Sequence, residues 1–235
     1  MKKIGKLILD FLYPNRCCFC GKVSEVSLCE ACKKQVVYIG EPRCKKCGKP
    51  VRFQEQEYCH DCERMHFYYE QGKSIWLHQK PVSTSIYQFK YHNKRIFATY
   101  YAEEMYRLYG KWLRQCRIDV IIPVPLHKKR KRKRGYNQAT ILAQELGKRS
   151  GIPINQKAVV RVGRTTPQKV LNRQQRRRNL KNAFKVTKYW NKARNVLIID
   201  DIYTTGSTID ALAQILKEKG AEKVWFLTIS IGQGF

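Results

Sequence analysis

The apolar positions are most regular in the last third of the chain. Val196-Leu-Ile-Ile199 is an unbroken apolar run, the pattern of a strand covered on both faces. From Ser207 to Lys219, Ile209, Leu212, Ala213 and Leu216 recur at helical spacing and form one core-facing stripe. Gly220 stands where that helix should end, and Val224–Ile231 is a second apolar run. Strand, helix, strand predicts a right-handed βαβ unit and therefore a parallel sheet. Ligands of such sheets bind beyond the carboxyl ends of the strands, where Asp200 to Thr208 falls. Upstream, Val120-Ile-Ile-Pro-Val-Pro-Leu126 predicts a strand that two prolines bring to a turn. A helix carrying Ile141, Leu142 and Leu146 follows Gly135-Tyr-Asn-Gln138, and another from Ile96 onward places Tyr100, Met105, Leu108 and Trp112 near one face. At the N-terminus, Ile4, Leu7, Ile8, Phe11 and Leu12 share a helical face, predicting an amphipathic docking helix over residues 1–14.

The chain has 235 residues, enough for one substantial α/β domain and a small accessory module. Its 43% hydrophobic content is that of a globular protein with a real core. Charge changes the picture. Lys and Arg number 47 against 18 Asp and Glu, a net charge of +29, which implies a polyanionic partner with nucleic acid foremost. A generally basic proteome or an anionic membrane surface are the rival explanations. No run approaches the ~18 apolar residues of a membrane span. Lys2, Lys3 and Lys6 before a short apolar run imitate a signal peptide, but Asp10 interrupts it and a CxxC follows at once. A cytoplasmic protein is expected, with the inner face of the membrane as the alternative station.

Eight of the ten cysteines form four CxxC pairs: Cys17/Cys20, Cys29/Cys32, Cys44/Cys47 and Cys59/Cys62. Eight residues separate the pairs of the first half and eleven those of the second, so the segment is an internal repeat. Each half can supply a tetrahedral four-thiolate zinc site, structural because no coordination position stays open. Disulfides are the rival chemistry, and nothing here suggests export. Short loops favour pairing 17/20/29/32 on one ion and 44/47/59/62 on a second; cross-bracing is the alternative. Cys18, Cys116, His60 and His66 are read as bystanders. Such a module buries little apolar area by itself, so metal is expected to supply much of its folding free energy.

Between Met65 and Arg117 the chain is rich in Tyr, Trp and Phe, for which a core role and stacking on unpaired bases compete. His127 is followed by seven consecutive cations, Lys128, Lys129, Arg130, Lys131, Arg132, Lys133 and Arg134. Mutual repulsion predicts a mobile loop there. A second basic cluster includes Arg161, Arg164, Arg176, Arg177 and Arg178. Some of these cations suit a diphosphate; the excess suits a phosphodiester backbone, with a solvated basic face as the bland reading.

The centre of the chemistry is Asp200-Asp-Ile-Tyr-Thr-Thr-Gly-Ser-Thr208. A strand feeding a helix through Thr204, Thr205, Gly206, Ser207 and Thr208 makes an anion cradle of hydroxyls, amides and helix dipole. Asp200 and Asp201 beside it can accept hydrogen bonds from ribose hydroxyls. This loop resembles the phosphoribosyl diphosphate (PRPP) motif of type I phosphoribosyltransferases. Along the full length, the double CxxC repeat, Pro-Val-Pro-Leu126, Arg134-Gly-Tyr-Asn-Gln138, Thr166-Pro-Gln168, Arg176-x-x-Asn179 and the Asp-Asp loop come in the order of the ComF family, which the chain resembles.

That resemblance implies an α/β fold: a phosphoribosyltransferase-like parallel sheet with helices on both faces over residues 67–235, behind a double zinc ribbon over 15–66. It also implies a competence role, handling single-stranded DNA in the cytoplasm beside a helicase-like partner. Two structural zinc ions are expected, with Mg²⁺ accompanying PRPP or a related 5-phosphate. Three functions stand: a nucleic-acid-handling protein with a ribose-phosphate pocket, an active transferase on a nucleobase, and a PRPP-sensing regulator. Purine phosphoribosyltransferases carry an Asp where this chain has Thr204, which speaks against purine activation by that route; no catalytic base is evident.

Overall fold

The computed structural model describes residues 15–162 and 183–233. The expected docking helix at 1–14 lies outside the described residues, as do Arg164, Arg176, Arg177 and Arg178. Two short helices in the cysteine repeat, α1 (Glu30–Lys33) and α2 (His60–Arg64), precede strand β1 (Gln71–Leu77). Then come α3 (Val82–Tyr91), α4 (Phe97–Gln115), β2 (Val120–Pro123), α5 (Lys128–Arg134) and α6 (Gln138–Ser150). Strands β3 (Val159–Arg161) and β4 (Phe184–Val186) form an antiparallel pair, and β5 (Asn195–Tyr203), α7 (Ser207–Glu218) and β6 (Lys223–Ile231) complete the main sheet.

The main sheet has the order β1-β6-β5-β2, and every neighbouring pair is parallel. Because side chains alternate along a strand, the apolar run of β5 serves two cores. Leu197 and Ile199 pack with Leu227 and Ile229 beneath Met105, Leu142 and Leu146 of α4 and α6. Val196 and Ile198 pack with Val224 and Phe226 beneath Leu212, Ala213 and Leu216 of α7. Helices therefore cover both faces, and the predicted βαβ unit is present.

Three expectations need correction. The basic segment is not a loop: α5 is helical, with the His127 ring accepting from the Lys129 amide and Gly135 closing it in the left-handed region. Lys and Arg are good helix formers, and winding distributes seven charges around the axis instead of stacking them. In α4 the buried stripe is Phe97, Tyr101, Met105, Tyr109 and Leu113, a strict four-residue step, whereas Leu108 is exposed. The cysteine repeat is also no isolated module. Cys17, Phe19 and Cys32 enter the core beneath α4, while Cys44, Cys47, Val51 and Cys59 enter the core beneath α7.

Strand β1 explains this straddling. It is an edge strand, and edges left open invite pairing with other chains. The ribbons cover it: the Ile39 amide donates to the Ile75 carbonyl (2.9 Å), Leu77 to Val37 (2.8 Å) and Gly72 to Lys46 (2.8 Å). Of the aromatic segment, Trp76, Phe89, Tyr101 and Tyr109 are core residues, whereas Tyr87 and Tyr91 stand in solvent.

Candidate functional site

Within each half of the cysteine repeat, four sulfurs lie within 4.8 Å of one another, in the groups Cys17/Cys20/Cys29/Cys32 and Cys44/Cys47/Cys59/Cys62. The grouping is sequential, not cross-braced. A tetrahedron with a Zn–S bond of about 2.3 Å has edges of about 3.8 Å. The Cys20–Cys29 and Cys47–Cys59 sulfur separations are 3.8 and 3.6 Å, so both donor sets fit zinc. Cys18 and Cys116 belong to neither group.

At the carboxyl ends of β2 and β5 lies a cleft of about 610 Å³. Its floor is the β5–α7 connection, and Asp200, Asp201 and all five residues Thr204 to Thr208 line it. Gly206 has φ +77° and is the residue before α7, whose first amides no side chain caps. Those amides and the positive helix end face the cleft beside the Thr205 and Ser207 hydroxyls, which bond each other at 2.9 Å. Amide and hydroxyl donors grouped at a helix start are the chemistry that suits an anion.

The two carboxylates differ. Asp201 is buried; its Oδ1 meets Lys90 Nζ at 2.7 Å and its Oδ2 accepts from Gln138 Nε2 at 2.6 Å. Asp200 is half-buried on the cleft wall, and its Oδ1 accepts from the Asp201 amide at 2.9 Å. Burial, then the neighbouring Asp201 carboxylate, push the Asp200 carboxyl up from 3.8 to about 7. A carboxyl whose folded value is raised contributes stability that is fully present below its unfolded value of 3.8 and is lost progressively as pH climbs from there through 7. Asp200→Asn should therefore match the parent near pH 3 and melt several degrees higher at pH 8. Thermal unfolding across that range checks this; an equal offset at both pH values would refute it.

Of the seven cations in α5, Arg130, Lys133 and Arg134 line the cleft. Their spacing of three and four residues puts them on one helical face. Lys128, Lys129, Lys131 and Arg132 do not line it and are exposed. Arg161 of the second basic cluster also lines the cleft, as do Lys90, Tyr91 and Gln138, which the sequence does not assign to a ribose-phosphate site. They come from α3, α6 and β3, elements far from the loop in sequence; only Gln138 stood in a quoted motif. Asp200 and Asp201 belong to no group of three potential metal ligands among the described residues, and the geometry does not support Mg²⁺ there.

Behind the loop stands a second set of contacts. Tyr203 bonds Tyr69 hydroxyl to hydroxyl at 2.6 Å and stacks on Phe226 with centroids 4.7 Å apart. The Phe226 ring fits only because residue 72 is glycine; a Cβ there would lie 1.9 Å from it. Asp210, in the first turn of α7, accepts from the Tyr68 amide at 2.7 Å. The Lys49 ammonium, paired with Asp61 at 2.9 Å, sits 5.9 Å from the Tyr203 ring centroid. Residues 68 and 69 come six and seven positions after Cys62, so the chain leaving the second cysteine group packs behind the β5–α7 connection.

Residues 8–63 match a family model described as a double zinc ribbon domain, and residues 119–230 one described as a phosphoribosyl transferase domain. Competence protein F of Haemophilus influenzae is 33% identical over 217 residues, 89% of this chain and 93% of that protein. The DNA utilization protein YhgH of Escherichia coli K12 is 28% identical over 222 residues, covering 91% and 96%. Competence protein ComFC of Bacillus subtilis is 28% identical over 201 residues, covering 82% and 79%. No helix among the described residues is long and apolar enough to cross a membrane.

Proposed function

The chain belongs to the ComF family of competence proteins, and on that premise we propose that it binds PRPP or another ribose 5-phosphate in the cleft while handling single-stranded DNA. The observation that carries the first half is the juxtaposition of an uncapped helix start at Gly206 with Asp200 on one wall and Arg130, Lys133 and Arg134 on another. A phosphate takes the helix end, the adjacent vicinal diol takes carboxylate oxygen, and a diphosphate takes the cations. Asp201 reaches a ribose only by exchanging its bond to Lys90 or Gln138, so it serves chiefly to hold those two side chains in the cleft wall. The second half is supported by the four cations of α5 that the cleft does not use, together with the +29 net charge.

Calorimetric titration with PRPP, ribose 5-phosphate and ribose tests the cleft. Binding should need the phosphate, and Asp200→Asn combined with Asp201→Asn should abolish it while single-strand affinity stays nearly intact. Equal affinity for ribose would remove the anion-seat reading, and joint loss of both ligands would mean one shared site. Single-strand affinity should fall steeply with salt; a flat salt series would remove the DNA reading.

A second reading, transfer of ribose phosphate to a nucleobase, is favoured by Asp200, a cleft carboxyl brought to about 7 and thus able to exchange protons near neutrality. The bond from C1 to diphosphate would break, a C1–N bond would form, and the base nitrogen would lose its proton. Diphosphate release from PRPP across a panel of bases decides it.

A further inference from the structure

Helix α3 is amphipathic in an unusual way. Val82, Ser85, Ile86 and Phe89 fill the core, but the opposite face carries two tyrosines, Tyr87 at 56% and Tyr91 at 54% exposure. They are one turn apart, with ring centroids 4.9 Å apart, and the His92 ring lies 5.5 Å from Tyr87. Neither ring contributes to packing of the core. The neighbouring stretch is basic: residues 90–96 hold Lys90, which pairs with Asp201, and the further cations Lys94 and Arg95, with no carboxylate among them. The patch also adjoins the cleft. Tyr91 lines it, the Arg134 guanidinium lies 4.6 Å from the Tyr91 ring centroid, and Arg134 donates to the Tyr91 hydroxyl at 2.9 Å. Arg134 bonds Gln138, which bonds Asp201.

Exposed aromatic faces amid cations suit one ligand chemistry above others, a polyanion that also offers flat apolar rings. Duplex DNA hides its rings; a single strand presents them. We propose that Tyr87 and Tyr91 form a stacking platform on which unpaired bases of a single strand lie as it crosses the mouth of the cleft. The outward cations of α5 follow its phosphates. Tyr87 is the outer step and Tyr91 the inner one, next to the anion seat. This rests on the single-strand reading above, and it adds that base faces, not phosphates alone, supply affinity.

Fluorescence anisotropy with a labelled oligothymidylate, and with an abasic strand of the same length, separates the two. The proteins are wild type, Tyr87→Ala, Tyr87→Phe and Lys131→Gln. Tyr87→Ala should weaken oligothymidylate binding about tenfold without changing the salt slope, and Tyr87→Phe should restore it. Wild type should bind the abasic strand more weakly, with an affinity that Tyr87→Ala leaves alone. Lys131→Gln should weaken both strands alike and lower the salt slope by about one contact. If wild type binds both strands equally, or Tyr87→Ala binds oligothymidylate as wild type does, the platform is wrong while single-strand binding stands. If wild type binds neither strand at low salt, the single-strand reading itself falls.

Discussion

Cys47→Ser should cost on the order of 5 kcal/mol or more of stability and take ribose-phosphate affinity with it. Cys47 is wholly buried, and its sulfur lies 3.6 Å from that of Cys59 in the second four-cysteine group. Loss of one thiolate leaves three sulfurs that hold zinc weakly and a buried hydroxyl with little to bond. The damage travels because Cys44, Cys47 and Cys59 share a core with Tyr203, Ile209 and Phe226, which pack behind the proposed anion seat. Cys20→Ser removes one ligand of the first group, where the side chain is exposed and the neighbouring core is that of Phe19 and Trp76. Each variant should lose one zinc equivalent of two. Only Cys47→Ser should lose affinity for ribose 5-phosphate, with a fall in melting temperature of about 10–20 °C. Metal analysis, thermal melting and calorimetry on both variants form the test. Retained affinity in a Cys47→Ser protein with one zinc would break the link between ribbon and seat.

Much of this was legible beforehand because it is written locally. The anion loop announces itself through an apolar strand, a glycine two residues past Thr204 and a helical stripe, all within one stretch. The thiolate donors follow from CxxC spacing. What could not be read depends on contacts between distant segments. Strand β1 opens with Gln71, Gly72 and Lys73, which break any apolar run; Gly72 is there for a ring contributed by Phe226. Lys90 and Gln138 meet at Asp201 from two different helices, and no spacing encodes that meeting. Tyr203 reads as part of the loop after Ile199, whereas the structure carries β5 through to it and Tyr69, 134 positions earlier, bonds its hydroxyl. The basic run is a different case: the helix propensity of Lys and Arg and the closing Gly135 outweigh its charge repulsion.

Those distant contacts make Gly206→Ala the sharpest test of the seat. Two costs arise at once. Residue 206 has φ +77°, and left-handed backbone costs a residue with a Cβ roughly 1–2 kcal/mol. The new Cβ would also stand 2.4 Å from the Tyr203 hydroxyl oxygen and 2.9 Å from Cζ. A free tyrosine would swing away. This one is held by its hydroxyl on Tyr69 and by a ring parallel to Phe226 within 1°, so the loop must yield instead. Displacing residue 206 turns the first amides of α7 away from the phosphate. Affinity for ribose 5-phosphate should fall about 10- to 100-fold, since each 1.4 kcal/mol is tenfold. Tyr203→Phe removes the nearest colliding atom but leaves the dihedral strain. The double variant should therefore recover part of the loss, less destabilised than the two single effects summed. Strict additivity of Gly206→Ala and Tyr203→Phe, in both melting temperature and affinity, would mean that Tyr203 does not brace the anion seat.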